Sequence, residues 1–323
     1  MPGEKLLTKL WETLADKGIG SLLKPWHVGR MRKVELEAKY KDIIMTADAE
    51  KKAEDIKNGK IAILDNKELS FRNIDEIDTH IESSRKVENI KKEVNVSNAI
   101  LYAEKELEND VTEPSKEEID EDWLYKWKNN ASEVSKEELQ RMWGRLLVGE
   151  LKSPGKYSLR TMDFLKHLSQ EEALLLENVG QFIIRNSIIY EEEEKSILNQ
   201  YNLPFQKLLE LQELGILSGV DSLGLSVGYS SLTKDSYQRT LPSHDKALLI
   251  SHKDCNKKIS LTVIRITKLG EQIFDLGVYA ANEEYLYSIG KRLIQNEYKV
   301  KLADVQYIDK DTIKILTSKE IQI

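Results

Sequence analysis

One cysteine in 323 residues, Cys255, leaves the chain no second thiol to pair with, so an internal disulfide framework is excluded. The five histidines, His27, His80, His167, His244 and His252, are scattered, and no Cys/His cluster has the four-ligand spacing of structural zinc. No run of about 18 apolar residues occurs, so no segment is long enough to span a bilayer as a helix. A continuous apolar signal core is also missing, because Met1-Pro2-Gly3-Glu4-Lys5 leads into residues that already carry Lys9, Glu12, Asp16 and Lys17. A cytoplasmic protein is the expectation. Four catalytic signatures are read as absent: a Gly-x-x-x-x-Gly-Lys phosphate loop, a Gly-x-Ser-x-Gly elbow, a His-Glu-x-x-His helix and a kinase set. No cofactor or metal is expected, and no constellation of residues points to an enzyme.

What the chain has in abundance is charge. Charged residues make up 32% against 40% hydrophobic, and the net charge is −7. That balance favours solubility and argues against a protein that coats nucleic acid with its whole surface. The charge is also polarised. Residues 1–41 hold nine Lys/Arg and five Asp/Glu, whereas residues 104–122 hold ten acids and two lysines.

The apolar spacing predicts an opening helix over residues 4–16, with Leu6, Leu7, Leu10, Trp11 and Leu14 on one face. Gly18, Gly20 and Pro25 end it, and a second helix runs from Val28 to Lys57. One candidate surface lies here. Leu10, Trp11, Leu14 and Trp26 beside Arg30, Arg32 and Lys33 suit either an anionic membrane interface or a packing partner. From Ile74 to Leu107 apolar positions fall into heptad-like fragments with a phase slip near Arg85. Both a helical hairpin or short coiled coil and an ordinary amphipathic helix on a bundle fit this pattern. Either surface suits another helix, so a homo-oligomer or a helical protein partner is expected.

Pro114 marks a joint after the acidic run, since the residue before a proline is driven out of helical geometry. Ser115 with Glu118, Ser135 with Glu138 and Ser169 with Glu172 each spell a capping box. Trp123, Trp127 and Trp143 are expected core, in a compact four-helix arrangement over residues 115–186. Within it, Arg145, Glu150 and Arg160 are charged side chains beside much apolar surface, and such groups need partners. They suit either an ion pair that orients two helices or an anion site. Gly144 and Gly149, five apart on one helix, suit the close approach of a second one.

The run Asp122-Trp123-Leu124 with Trp127, then Leu139, Trp143-Gly144-Arg145-Leu146-Leu147, Gly149-Glu150-Leu151, Pro154-Gly155, Ser158-Leu159-Arg160-Thr161 and Leu168-Ser169-Gln170-Glu171-Glu172-Ala173 resembles a bacterial and phage-borne family. That family is the domain of unknown function numbered twenty-eight hundred and six, and the resemblance is strongest over residues 115–190. It implies no reaction. The layout of the family's long N-terminal helices is similar to that of some abortive-infection proteins. By analogy this implies a place in antiphage defence or another mobile-element system.

Beyond Glu194 the pattern changes. A short helix, a turn at Asn202-Leu203-Pro204 and a helix over Phe205 to Leu214 have helix-turn-helix proportions. A Gly/Ser-rich passage, Gly219 to Ser231, reads as a wing or linker. Two strands, Ala247–Ser251 and Ile259–Ile266, are expected to pair as a hairpin through Asp254-Cys255-Asn256, ahead of a helix opened by Thr267. On that hairpin Lys253, Lys257, Lys258 and Arg265 form a candidate nucleic-acid contact. The module as a whole is neutral, with ten basic and ten acidic residues over 190–270, so protein contact is favoured over DNA. His244 and His252, with Asp245 and Cys255, read as solvated turn residues and not as a metal or nucleophile site.

The expected fold is therefore mainly α with a smaller α+β part: a helical arm over 1–111, a compact helical bundle over 112–189 and a winged-helix-like module over 190–323. The expected function is interaction or assembly, with DNA regulation and peripheral membrane association as alternatives.

Overall fold

The computed structural model describes residues 3–19, 61–63, 69–71, 74–190, 196–222, 224–308 and 312–322, with the backbone alone between 61 and 83. It is a mixed α and β protein in which helix predominates, and it divides into two compact units, Met1–Lys166 and His167–Ile323.

In the first unit α1 spans Glu4–Asp16, the bounds expected from its apolar stripe. A small antiparallel ribbon follows, β1 (Ile61–Ile63) against β2 (Leu69–Phe71), in a stretch where no strand was expected. Then α2 runs unbroken from Ile74 to Leu107. It is one helix, so the hairpin reading of this segment is not met. Val96, Ser97, Asn98, Ala99 and Ile100 are all buried, which no single helical stripe produces. The Val96–Ile100 turn, in the last third of α2, is enclosed on every side, whereas the residues from Ser84 to Lys91 are mostly exposed.

Around α2 pack α1, α3 (Glu121–Ser132) and α4 (Glu137–Lys152). The charge polarity of the chain is resolved by contact. Lys5 pairs with Glu113 at 2.6 Å, Lys9 Nζ donates to the carbonyls of Ser115 and Glu117 at 2.6 and 2.8 Å, and Lys17 reaches Glu121 at 3.3 Å. The lysines on and just after the first helix thus lie along the acidic joint. Trp123, Trp127 and Trp143 are buried as expected. Two of them also brace the backbone, with Trp127 Nε1 donating to Trp143 O at 2.9 Å and Trp123 Nε1 to Tyr157 O at 2.8 Å. Of the three capping boxes only Ser169 with Glu172 forms. Asp120, not Ser115, caps α3, and Lys136 precedes α4 without a side-chain cap, leaving Ser135 outside. Next comes α5 (Leu159–His167).

The second unit contains α6 (Gln170–Gly180), β3 (Ser187–Ile189), α7 (Ile197–Gln200), α8 (Phe205–Glu213), β4 (Leu217–Ser218) and β5 (Leu225–Tyr229). It continues with β6 (Tyr237–Ser243), β7 (Lys246–His252), β8 (Ile259–Ile266), α9 (Lys268–Phe274), α10 (Glu283–Gln295), β9 (Lys299–Tyr307) and β10 (Ile313–Glu320). One antiparallel sheet has the order β3-β8-β4, with β5 also alongside β8; the other has the order β10-β9-β7-β6.

The hairpin expected between β7 and β8 does not form. Instead β7 pairs with β6 and β9, while β8 pairs with β3, β4 and β5, so the two runs belong to different sheets. After α10 the chain closes with β9 and β10 paired antiparallel, Val305 opposite Ile315. Thr267 caps α9 through the Gly270 amide. Tyr237, Leu248, Ile250, Val300 and Leu302 are buried, and α10 packs on β9 with Leu286, Ile289 and Leu293 buried. Tyr285 locks α10 to β3, its hydroxyl donating to Ile189 O and accepting from Ile189 N, both at 2.7 Å.

Candidate functional site

The three charged residues singled out on α4 and α5 do not converge. Arg145 Nε donates to Glu106 of α2 at 3.0 Å, an ion pair that ties two helices. Glu150, 1% exposed, turns to the loop that follows α4 and accepts from the amides of Gly155 and, at 3.0 Å, Tyr157. Burial pushes its carboxyl above the ordinary glutamate range, and the amide bonds from Tyr157, Gly155 and Lys156 oppose that rise only in part. Arg160 is exposed. A carboxylate that already receives backbone donors is no anion receptor, so the anion-site reading gives way to a structural one. Gly149 has the Tyr157 ring against it, and Gly144 is the place where α2 and α4 approach: a Cβ there would lie 2.8 Å from Ala99 O.

The basic set near β8 is also dispersed. Lys257 is engaged: Nζ donates to Asn296 O at 3.0 Å and Glu297 Oε2 at 3.1 Å, and it lies 4.9 Å from the centroid of the Tyr298 ring. Its ammonium holds the Glu297 carboxyl below the usual range. Lys253 and Lys258 are exposed, while Arg265 is exposed opposite Ser187 and Ser218 at the far end of β8. Because β7 and β8 lie in separate sheets, the four cations never share the hairpin that was to collect them.

At the N-terminus, Leu10 and Leu14 are fully buried and Trp11 half-buried, with α1 packed on α2 and α4. Burying Leu6, Leu10 and Leu14 stabilises by about 5–9 kcal/mol relative to exposure. That contribution would be lost if α1 were withdrawn to lie on a bilayer. Trp26, Arg30, Arg32 and Lys33, and the expected helix from Val28 to Lys57, lie outside the described residues. Among the described residues no helix is long and apolar enough to cross a membrane.

His244 and His252 sit at opposite ends of β7 and cannot share a ligand. His244 Nε2 contacts Gly180 O at 2.7 Å, and His252 Nδ1 accepts from the Asp254 amide at 3.0 Å. Among the described residues no group of three His, Cys, Asp or Glu side chains is placed to hold a metal.

One of the signatures read as absent is in fact spelled in the Gly/Ser passage: Gly224-Leu225-Ser226-Val227-Gly228 matches the nucleophile elbow, Gly-x-Ser-x-Gly. That chemistry needs the serine on a tight strand-to-helix turn beside a histidine. Here Ser226 lies within strand β5, and its Oγ is 2.9 Å from Ser260 Oγ on β8. The segment is a strand, legible in the alternation of Leu225, Val227 and Tyr229.

No curated protein and no solved structure matches the chain. One family description does: residues 80–290 match "Protein of unknown function (DUF2806)". The matched stretch starts in α2, takes in the tryptophan helices and the charged turn at Glu150, and ends in α10. With well over half of its length covered, the chain belongs to this DUF2806 family of proteins of unknown function.

Proposed function

We propose that this chain is an interaction and assembly protein whose second unit serves as a winged-helix-like module for protein contact. The order α6, β3, α7, α8, β4, β8 with sheet order β3-β8-β4 is that of a winged helix, which supports the module. In such a module α8 would be the helix offered to the major groove. Its Lys207 is bonded to Glu210 at 2.7 Å and Glu213 follows, so a phosphate backbone meets as much negative charge as positive.

The observation that carries the reading is the fate of the wing. The segment between β4 and β8 contains β5, which pairs with β8, and then β6 and β7, which lie in a sheet with β9 and β10. A wing whose outer part is tied into a second sheet is held back from entering a groove. Arg145 and Glu150 on α4 support the same reading, because each has a structural partner. Antiphage defence, or another mobile-element system, is the setting we propose on the family's helical layout. Cells carrying the gene should then resist a phage challenge better than cells without it.

The test is a gel-shift series with duplex DNA at about 50 and 200 mM salt, the range over which phosphate-driven binding collapses. No shift is expected at the higher salt. A shift that persists there and is abolished by Lys253→Glu with Lys258→Glu would replace this reading with a DNA-binding regulator.

A further inference from the structure

The outer strands of the second unit are not guarded alike. An edge strand exposes unpaired backbone groups, and natural sheets blunt such edges with lysine, proline, bulges or brevity. At one border β10 carries Lys314 and Lys319 and is bulged between Ile315 and Thr317. At the opposite border β6 carries Arg239 and Pro242. In the other sheet β3 and β4 are only three and two residues long. By contrast β5, five residues long and paired with β8, has none of these devices. From Ser222 to Thr233 there is neither a charged residue nor a proline. Leu225 is 42% exposed, Ser226 and Gly228 are exposed, and a Cβ built on Gly228 meets only open space.

The sequence of this edge is also its own complement. Leu225, Val227 and Tyr229 share one face of β5, and Ser226 and Gly228 share the other. Turned about a two-fold axis through Val227, a second β5 runs antiparallel to the first. Val227 then faces the partner's Val227, Leu225 faces the partner's Tyr229, and Tyr229 faces the partner's Leu225. Every large side chain meets another across the strands, the small Ser226 meets the partner's Gly228, and no like charges oppose. Moving the axis to Ser226 or Gly228 leaves one large residue facing glycine or the strand end. Aliphatic and aromatic cross-strand pairs are the unit of sheet stabilisation, so the pattern selects the Val227 register.

We propose that β5 is a dimerisation edge, and that two copies of this chain join through it into one continuous antiparallel sheet with the two-fold axis at Val227. This deepens the assembly reading by naming its surface. A five-residue strand pair makes an interface well below the standard size of about 1,600 Å². The dimer is accordingly weak and forms only at high protein concentration.

Sedimentation velocity on the full chain, from about 5 to 500 μM, tests this. The dimer fraction should rise with concentration in the wild type. Val227→Lys places two ammonium groups face to face and Val227→Glu two carboxylates, so each variant alone should weaken the dimer by about tenfold or more. Mixed one to one they should recover it. Leu316→Lys, on the guarded edge β10, should leave it unchanged. If either Val227 variant loses its folded circular dichroism, Leu225→Lys, on an already exposed side chain, takes its place and should weaken the dimer likewise. A wild type that stays monomeric throughout, a dimer indifferent to Val227→Lys, or a mixture that does not recover would each overturn the proposal. Those results leave the gel-shift outcome untouched, so failure of this edge and failure of the protein-contact reading are separately visible.

Discussion

Gly144→Ala places one methyl group in the seam between α2 and α4. The added carbon would stand 2.8 Å from Ala99 O, 2.9 Å from Tyr102 Cβ and 3.0 Å from the Ala103 amide nitrogen. Two of these are backbone atoms of α2, so no change of rotamer relieves the contact and the helices must move apart. Overpacking a well-fitted core costs about 1–3 kcal/mol, and backbone obstacles put this site at the upper end. Alanine regains about 1 kcal/mol over glycine in helix propensity. The net effect is a destabilisation of about 2 kcal/mol. At roughly 2–4 °C per kcal/mol for a unit of this size, the melting temperature should fall by about 4–8 °C.

The assay follows from where the indoles are. All five tryptophans, Trp11, Trp26, Trp123, Trp127 and Trp143, fall within Met1–Lys166, so their fluorescence reports on the first unit and not on the second. Gly290→Ala in α10 is the matched comparison. It gains the same propensity, but the nearest obstacle is the tip of the Ile321 side chain, which can rotate away. A calorimetric melt should therefore find Gly290→Ala neutral or slightly stabilised. A Gly144→Ala protein melting at or above the wild type by fluorescence would refute the claim that this glycine sets the spacing of α2 and α4.

Glu150→Gln offers one acceptor oxygen where a carboxylate offered two, and it turns an amide donor towards the N–H of Gly155 or Tyr157. A buried donor left unpaired costs about 1–3 kcal/mol, so the fluorescence-detected urea midpoint should fall. An unchanged midpoint would show that Pro154-Gly155 holds the turn without Glu150. The same side chain predicts a pH slope. Its folded pKa is raised above the unfolded one, so its contribution is full below the ordinary glutamate value of 4.5 and is lost as pH rises through the raised value. The difference between wild type and Glu150→Gln should therefore change with pH in that window; a constant offset would refute it. In the second unit burial pushes the Tyr237 hydroxyl up to about 12. It should still be protonated when the exposed tyrosines have ionised, as read by absorbance near 295 nm and by loss of the late step in Tyr237→Phe. Stability from this group is present below pH 10 and falls as pH rises towards 12.

Where a signal is local, the sequence carried it. The bounds of α1, the Ser169 capping box and the Thr267 cap of α9 each depend on residues within a turn or two of one another. The capping-box spelling failed twice for an equally local reason. Near Ser115 the chain is irregular, its Ser115 and Glu117 carbonyls accepting from Lys9, and it folds into helix only after Asp120. At α4 the helix starts one residue beyond the position Ser135 needs.

Long-range pairing is where the sequence misleads. Asp254-Cys255-Asn256 between two apolar runs has the form of a hairpin turn, yet β8 finds its partners in β3, β4 and β5, which lie roughly 30 to 80 residues upstream. Nothing in the turn encodes that choice. β7 meanwhile lies between β6 and β9, so both of its edges are already taken. The charged residues of the tryptophan helices divide along the same line. Glu150 finds its partners five and seven residues on, in the turn its own sequence creates, whereas Arg145 finds Glu106 across 39 residues. That Arg145 and Glu150 need partners is legible from charge beside apolar surface. Which partners they take depends on how α4 lies against α2, and the Gly144 contact is the residue-level record of that arrangement.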